Sequence, residues 1–449
     1  MTASMVETLI GRFADSGDTI ALVTEDDAFS YADLADSIDR WSECLTASGI
    51  AQGSTVLLRG DFTLDSISAL FALMQAGAIN IILSPTSFAK QDEFSEIGRA
   101  QFCVDTLCGS ITPMAHYGDH PLYDQLRNDG EPGIVLFSSG STGRSKGTVH
   151  NGARLLERYR TPGKNLRTLA FLLFDHIAGL DTLFYSLANT STLVLPKSRA
   201  PDDVSRLIAA HKVAVLPASP SFLNLLLLSG AATRHDLSSL KIITYGSEMM
   251  SPATLERCAA AFPGVRLIQK YGTSETGALP TKSKSNTSTW LNLGGDGFEW
   301  RERDGMFEVR AKTAMLGYLN APSPFTEDGF FKTGDRVEVD GDFVRFLGRD
   351  SDIINVGGQK VFPAEVENLI REVPGVKEVA VFGEPHALLG AAVVARIRPS
   401  SDEPQAELRK RIRAHMTGQV EAYKIPQKFQ FTDEQLTTDR FKVIRRAER

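Results

Sequence analysis

Residues 137–150, FSSGSTGRSKGTVH, set serines, a threonine and glycines ahead of a lysine. These types suit a polyphosphate. Glycine lets backbone N–H groups converge on an anion, hydroxyls add donors, and lysine brings a mobile positive charge. The stretch departs from the common phosphate loop G-x-x-x-x-G-K-[ST]. Counted from Gly140, Ser145 stands where glycine would precede Lys146, and Gly147 stands where a hydroxyl would hold magnesium. A second group of chemistry-bearing residues is KYGTSETG at 270–277. Its carboxylate, Glu275, is an oxygen ligand of the kind Mg²⁺ takes beside bound phosphate, and Tyr271 offers a flat face for a purine. A third group runs through FKTGD and GRDSDII, within 331–354. Asp335, after a glycine turn, suits a ribose diol as acidic residues do in other nucleotide sites, and Arg349 suits the same sugar. Each group alone also reads as ordinary structure: a polar turn, a solvated loop, a hairpin aspartate with a surface arginine.

These residues need a frame. From residue 20 the chain alternates short apolar runs with helical stretches: TIALVTE, STVLLRG, AINIILSP, GIVLFSS, LRTLAFLLF (166–174), STLVLP, AVLPAS and LKIITYG. Apolar runs without alternating polarity predict strands covered on both faces, and their alternation with helices predicts an α/β sheet. GIVLFSS before the glycine-rich stretch and GARLLERY after it predict a loop between strand and helix, where anion sites form. After about residue 290, FEWRERDGMFEVRA and DRVEVDGDFVRFLGR alternate around DG turns and predict antiparallel hairpins. Beyond Asp352 a small α+β unit follows. The expected fold is a large N-terminal domain, 1–349, of mixed and parallel α/β sheets with an antiparallel β subdomain, then a small mobile C-terminal domain, 350–449.

Composition narrows the function. The chain has 449 residues, 42% hydrophobic and 23% charged, as in globular proteins of more than one domain. A net charge of −7 argues against nucleic acid as a partner, since phosphate contacts need a basic surface. The start, MTASMVETLIGRFADSGD, lacks the pattern of a signal peptide. The longest apolar run, 67–83, is broken by Gln75, Gly77 and Asn80 and predicts a buried helix and strand, not a membrane span. Cys44, Cys103, Cys108 and Cys258 show no zinc spacing and read as reduced thiols of a cytoplasmic protein.

Taken in order, the three groups resemble the adenylate-forming superfamily: acyl- and aryl-CoA synthetases, nonribosomal adenylation domains and firefly luciferase. SSGSTGRSKG (138–147) is similar to that family's SSGTTGxPKG, YGTSE (271–275) to its YGxTE, Thr333-Gly334-Asp335 to its TGD, and GRDSDII (348–354) to its GRxxDxI. FSYADL (29–34), ALMQAGAINIILSP (72–85) and VFPAEVENLI (361–370) resemble further family elements, so the likeness spans the chain. It implies ATP-dependent activation of a small carboxylic acid to acyl-AMP with release of pyrophosphate, then transfer to a thiol of coenzyme A or of an acyl or peptidyl carrier protein. It further implies ATP and Mg²⁺ as companions. Ser138, Ser139, Gly140, Ser141, Thr142, Gly143 and Lys146 would hold the β- and γ-phosphates, Gly272 and Thr273 would belong to the ATP site, and Ser274 would lie near the α-phosphate. Glu275 would take magnesium, Asp335 and Arg349 the ribose, and Tyr271 with Gly246 and Ser247 the adenine. Lys442, in TTDRFK, keeps the family's T-x-x-x-K spacing although Phe441 replaces the usual glycine, and would bridge carboxylate and α-phosphate. Lys424 and Lys428 are the competing lysines. Ser351 falls at the family's hinge, and Gly357 and Gly358 would line the thiol tunnel.

Residues 172–195 bear on the acid. Phe174-Asp175 imitates the aspartate that binds an amino acid's ammonium, but His176 followed by Gly179 keeps the spacing of the acyl- and aryl-CoA synthetases. The histidine would gate or line the acid pocket, with Ala178, Gly179, Asp181, Tyr245, Glu248, Met249 and Ala278. The alternatives are a stand-alone amino-acid-activating enzyme and a repurposed relative, amide-forming or oxygenase.

Overall fold

The computed structural model describes residues 4–115, 118–139, 144–400, 402–438 and 443–445. Two seven-stranded sheets, one six-stranded sheet and one five-stranded sheet, with a short two-stranded ribbon, account for its strands. The first large sheet runs Arg266–Gln269, Ile242–Tyr245, Val215–Ala218, Thr168–Leu169, Leu193–Val194, Ile20–Val23 and Ala28–Ser30, parallel except at its last strand. The second has a parallel centre, Phe102–Asp105, Thr55–Arg59, Ile79–Leu83 and Gly133–Ser139, with antiparallel strands outside it. Central strands are covered on both faces: all five residues of Ile79–Leu83 are buried.

The helices between the sheets explain their own sequences. In FSYADL, Ser30 caps helix Tyr31–Ala47 by accepting from Asp33 N, and the Asp33 carboxylate accepts in return from Ser30 N at 2.7 Å. Helix Leu64–Gln75 has Ser66 through Met74 all buried and shares one core with residues of both sheets, such as Leu22 and Val56. That burial explains why it is apolar all round. No helix among the described residues is long and apolar enough to cross a membrane.

LRTLAFLLF does not form one strand: only Thr168–Leu169 pairs in the sheet. Phe171 enters the core around Leu216 and Phe222, whereas Phe174 enters the core around Phe71 and Phe184. The run is continuously apolar because it crosses between two cores, a cause that periodicity cannot distinguish from a buried strand.

The six-stranded antiparallel sheet carries the expected hairpins. Phe298–Arg303 and Met306–Ala311 turn at Asp304-Gly305, both with positive φ, and Phe331–Asp340 and Phe343–Arg349 turn at Gly341-Asp342. Further on, Ile354–Val356, Gln359–Val361, Val376–His386, Gly390–Pro399 and Lys428–Phe431 form the five-stranded sheet. Helices Pro363–Arg371 and Gln405–Met416 close over it around a separate core that includes Val366, Ile397 and Ile412. All four cysteines are free.

Candidate active site

The serine–glycine stretch joins two strands of a β-hairpin rather than a strand and a helix. Gly133–Ser139 pairs antiparallel with Ser145–Asn151, setting Ser138 opposite Lys146 and Ser139 opposite Ser145. The helix begins only at Gly152, where Asn151 Oδ1 accepts from Arg154 N at 3.0 Å. Thr148 and Val149 favour an extended chain and are buried in it, and Asn151 caps the helix that follows. Two side chains fix the lysine's strand. Ser145 N donates to Glu93 at 2.7 Å, while Asn320 accepts from Gly147 N at 3.1 Å and donates to Ser145 O at 2.8 Å. The Lys146 ammonium lies 5.3 Å from the centre of the Tyr318 ring. Gly140, Ser141, Thr142 and Gly143 lie outside the described residues.

Tyr318 also donates its hydroxyl to Glu275 Oε1 at 2.7 Å, so one ring orients both the lysine and the expected metal carboxylate. The loop carrying Glu275 is fixed through its backbone. His150 Nε2 donates to Ser274 O at 2.6 Å, Met315 N to Glu275 O at 2.7 Å, and Thr313 Oγ1 to Thr276 O at 2.7 Å. Burial favours the neutral His150 ring and holds its pKa below the ordinary value, while the Ser274 carbonyl, accepting from Nε2, pulls it the other way. Thr273 is buried, and its hydroxyl accepts from Glu275 N at 3.2 Å. Among the described residues no group of three metal-ligating side chains gathers. A single carboxylate fits Mg²⁺ that arrives on phosphate rather than in an all-protein cage.

Beside it stands the expected ribose pair. Asp335 is 9% exposed and accepts from the Tyr271 hydroxyl at 2.6 Å and from Arg349 Nε at 2.8 Å. Burial pushes its carboxyl up, and the Arg349 guanidinium pulls it back down. The Tyr271 ring stacks on Phe346 with centroids 4.0 Å apart. The charge of Glu275 acts on both Asp335 and Arg349. Gly246 passes so close to Lys270 that a β-carbon there would come within 2.6 Å of its carbonyl oxygen, and Ser247 adopts φ +69°. That tight turn follows strand Ile242–Tyr245 and leaves Ser247 exposed. Gly272 opens a two-residue strand paired with Gly277–Ala278.

A hollow opens next to this loop, lined by Ile177, Leu180, Asp181, Phe184, Gly277 and Ala278, with Leu155, Arg158, Tyr159 and Thr313 completing it. Of the eight expected pocket residues, Asp181 and Ala278 line it directly. His176, Ala178 and Gly179 form the first turn of the same helix, Ile177–Ala188, with His176 at its N-cap. Gly179 is required there, because a β-carbon would collide with the Leu173 carbonyl oxygen. Tyr245, Glu248 and Met249 are not in its lining. Tyr245 is buried in the neighbouring core, Met249 packs against the aromatic cluster of the antiparallel sheet, and Glu248 accepts from Ser221 N at 3.0 Å. Asp175 is buried and accepts from the Ser87 hydroxyl at 2.7 Å, a structural tie. His150, Arg158, Tyr159, Lys270, Thr313, Tyr318 and Asn320 escaped sequence reading. Only His150 and Lys270 adjoin a recognisable motif, and nothing in the local pattern marks the others.

Lys424 pairs with Glu365 at 2.8 Å and with Glu421 at 2.9 Å, and Lys428 pairs with Glu384 at 2.9 Å. Both competing lysines are therefore already engaged. Lys442 and Phe441 lie outside the described residues. Arg445 grips Glu367 through two contacts of 2.7 Å and reaches Asp352 at 3.1 Å. Ser351 lies exposed in the turn Asp350–Asp352 and donates to Asp352 at 3.1 Å. Gly357 and Gly358 form the exposed turn before Gln359, with φ of +59° and +88°.

A lysine-bearing hairpin, a carboxylate of the kind that takes magnesium and a buried aspartate held by a tyrosine and an arginine lie beside a small, mostly apolar hollow, an arrangement compatible with nucleotide-dependent chemistry on an acid. The chain matches the AMP-binding enzyme family over residues 12–97 and 101–290, and the C-terminal domain of AMP-binding enzymes over 365–442. It is 26% identical to the 2-succinylbenzoate–CoA ligase of Listeria monocytogenes, over 95% of each chain. It is 29% identical to triostin synthetase I of Streptomyces triostinicus, over 84% of this chain and 81% of that one. Its fold superposes with a TM-score of 0.81 on the anthranilate CoA ligase AuaEII in complex with anthranoyl-AMP, at 22% identity, covering 98% of this chain and 95% of that one. The chain belongs to the AMP-binding enzyme family, in the acyl- and aryl-CoA synthetase branch of the adenylate-forming superfamily. It is an AMP-forming acid–thiol ligase.

Proposed function

We propose that this enzyme joins a small aryl or short acyl acid to AMP and then passes the acyl group to a pantetheine thiol, coenzyme A first among the candidates. The observation that carries the reading is that Tyr318 ties Glu275 to Lys146 while Tyr271 and Arg349 hold the buried Asp335. Asp335 offers two carboxylate oxygens to the ribose hydroxyls while Tyr271 and Arg349 hold it still. Glu275 is the residue that would hold magnesium, which when bound neutralises phosphate charge. Lys146 places its charge over the phosphate tail. The acid's carboxylate approaches the α-phosphorus from the hollow, its C–O–P bond forms, and pyrophosphate departs. Lys442 would bridge the oxygens on which charge accumulates.

Residues 1–349 form the ATP- and acid-binding domain in this reading, and 350–449 a smaller one that turns about Ser351 between half-reactions. Gly357 and Gly358 then face the thiol's path, and His176 stands at the pocket mouth. The exposed positions of Ser351, Gly357 and Gly358 support this assignment, and the free thiols suit a cytoplasmic enzyme. The like-sized 2-succinylbenzoate ligase, similar over 95% of both chains, supports coenzyme A as acceptor. The test is pyrophosphate–ATP exchange across a panel of carboxylic acids, followed by thioester analysis with coenzyme A and with a carrier protein. Exchange with some acids that falls by about a hundredfold or more in Lys442→Ala is the expected result. Full exchange in that variant would overturn the assignment.

A further inference from the structure

In sequence Lys442 stands between two legs of chain that the structure ties together and anchors separately. Thr437 and Val443 form an antiparallel bridge, and Ile444 N donates to Leu436 O at 2.9 Å. The first leg is anchored at Leu436, which is buried and whose N–H donates to Glu378 Oε2 at 2.5 Å. The second leg, to which Lys442 is directly joined, is anchored by Arg445. Its Nε and Nη2 fork onto the two oxygens of Glu367, each at 2.7 Å, and its Nη1 lies 3.1 Å from Asp352 Oδ2. Glu367 belongs to helix Pro363–Arg371, is 1% exposed and also accepts from Val381 N at 3.0 Å. Asp352 differs: its side chain is 35% exposed and it closes the turn Asp350–Asp352. The other end of that turn is held by Arg336 of strand Phe331–Asp340, whose Nε lies 2.6 Å from Asp350 Oδ1.

A carboxylate as enclosed as Glu367 needs a charged partner, which accounts for one side of the arginine. No such need accounts for the arm to Asp352, because water satisfies a partly exposed aspartate and such pairs add little stability. That arm does something else. From Arg445 the contacts run through Asp352 and the turn to Arg336, the chain neighbour of Asp335, and the strand Phe343–Arg349 leads directly into the same turn. The leg that carries Lys442 is therefore tied to the two strands that carry Asp335 and Arg349. We infer that Arg445 is a positioning residue for acid activation: through Asp352 and the turn it holds the leg of Lys442 in register with the strands that fix the nucleotide. This rests on the assignment of Lys442 as the bridge between carboxylate and α-phosphate, and it adds to that reading a residue that acts through the lysine.

The experiment separates the two half-reactions in Arg445→Gln, Arg445→Lys and Asp352→Asn, with Lys442→Ala as the reference. Pyrophosphate–ATP exchange, with the acid that exchanges best in the natural enzyme, follows the first. AMP release from the synthetic acyl-AMP of that acid, on adding the thiol the natural enzyme uses, follows the second. Arg445→Gln should lower the kcat of exchange by about a hundredfold, the scale on which a misplacement of about 1 Å is felt, while the KM for ATP changes by less than about threefold. Asp352→Asn, which leaves Glu367 paired, should lower it by about tenfold. Arg445→Lys keeps the charge without the fork and should stay within about tenfold of the natural enzyme. Transfer from acyl-AMP should hold its rate within about threefold in all three, a split that a merely structural role does not produce. Thermal melting identifies a misfolded variant, and if Arg445→Gln does not fold, Asp352→Asn decides. Unchanged exchange in Asp352→Asn, or equal losses in both half-reactions, would overturn the inference while leaving Lys442 in its role. Full exchange in Lys442→Ala would overturn that role and the inference together.

Discussion

Asp335 is the residue whose replacement reports most directly on the nucleotide site. Its Oδ2 takes the Tyr271 hydroxyl and its Oδ1 takes Arg349 Nε, at 2.6 and 2.8 Å, leaving one free lone-pair direction on each oxygen for a ribose hydroxyl. Asp335→Asn preserves shape but keeps only one acceptor oxygen. Arg349 cannot accept, so the amide oxygen must stay toward it, and the amide NH₂ turns to Tyr271. One of the two ribose hydrogen bonds is then lost and the other becomes neutral. A hydrogen bond to a charged group contributes about 1.5–3 kcal/mol, so ATP should bind about 10- to 150-fold more weakly. Arg349 is 53% exposed, which screens its share and favours the lower half of that range. Exchange assays with ATP and with 2′,3′-dideoxy-ATP give the decisive comparison. The natural enzyme should prefer ATP strongly, and Asp335→Asn should lose most of that preference with little change for the dideoxy nucleotide. An unchanged preference would refute the placement of the ribose on Asp335.

Tyr318→Phe removes the 2.7 Å hydrogen bond to Glu275, and the magnesium concentration for half-maximal exchange should rise by about tenfold, read by titration. Gly179→Ala drives a β-carbon into the Leu173 carbonyl oxygen and should cost about 3 kcal/mol or more, seen as a lowered Tm with loss of acid binding. Arg445→Ala leaves the Glu367 carboxylate, whose side chain is 1% exposed, with only Arg371 at 3.7 Å and the Val381 N–H, and should destabilise the C-terminal region by about 1.5–3 kcal/mol in denaturant melts followed by proteolysis. Glu248 has its carboxyl raised by burial, with Arg371 opposing. A raised carboxyl stabilises fully below its unfolded value and loses that contribution as pH climbs through the folded value. Glu248→Gln should therefore raise Tm more at pH 8 than at pH 5, and equal shifts would contradict that sign.

The residues proposed to handle ATP could be picked out because each sits in a short run whose spacing is set by one local turn: Glu275 in YGTSE, Asp335 after Gly334, Arg349 at the end of a hairpin strand. The α/β order and the DG hairpins were legible for the same reason, since both depend on neighbours a few residues apart. What escaped depends on distant partners. Tyr318 meets Glu275 from 43 residues away, and Arg158 meets Ala278 from 120. No periodicity encodes either meeting. The strand expected over 166–174 failed because an apolar run reports burial without direction, and here burial is divided between two cores. The glycine-rich stretch was read as leading into a helix because GARLLERY is helical, whereas SKGTVHN in between belongs to a strand.

Seating Lys146 on a hairpin makes its aim a matter of parity. Residues of a strand face alternate sides, and Ser145 and Gly147 are buried on either side of the half-exposed lysine. Dropping or adding one residue between Lys146 and the start of the pairing at Gly133–Asn151 would send the ammonium to the opposite face of the sheet. A two-residue change would restore its side and merely shift its height by about 7 Å. Variation in length before Gly152 is thus read by this enzyme as odd or even, a constraint that a phosphate loop seated on a helix, with its gradual 100° steps, does not impose.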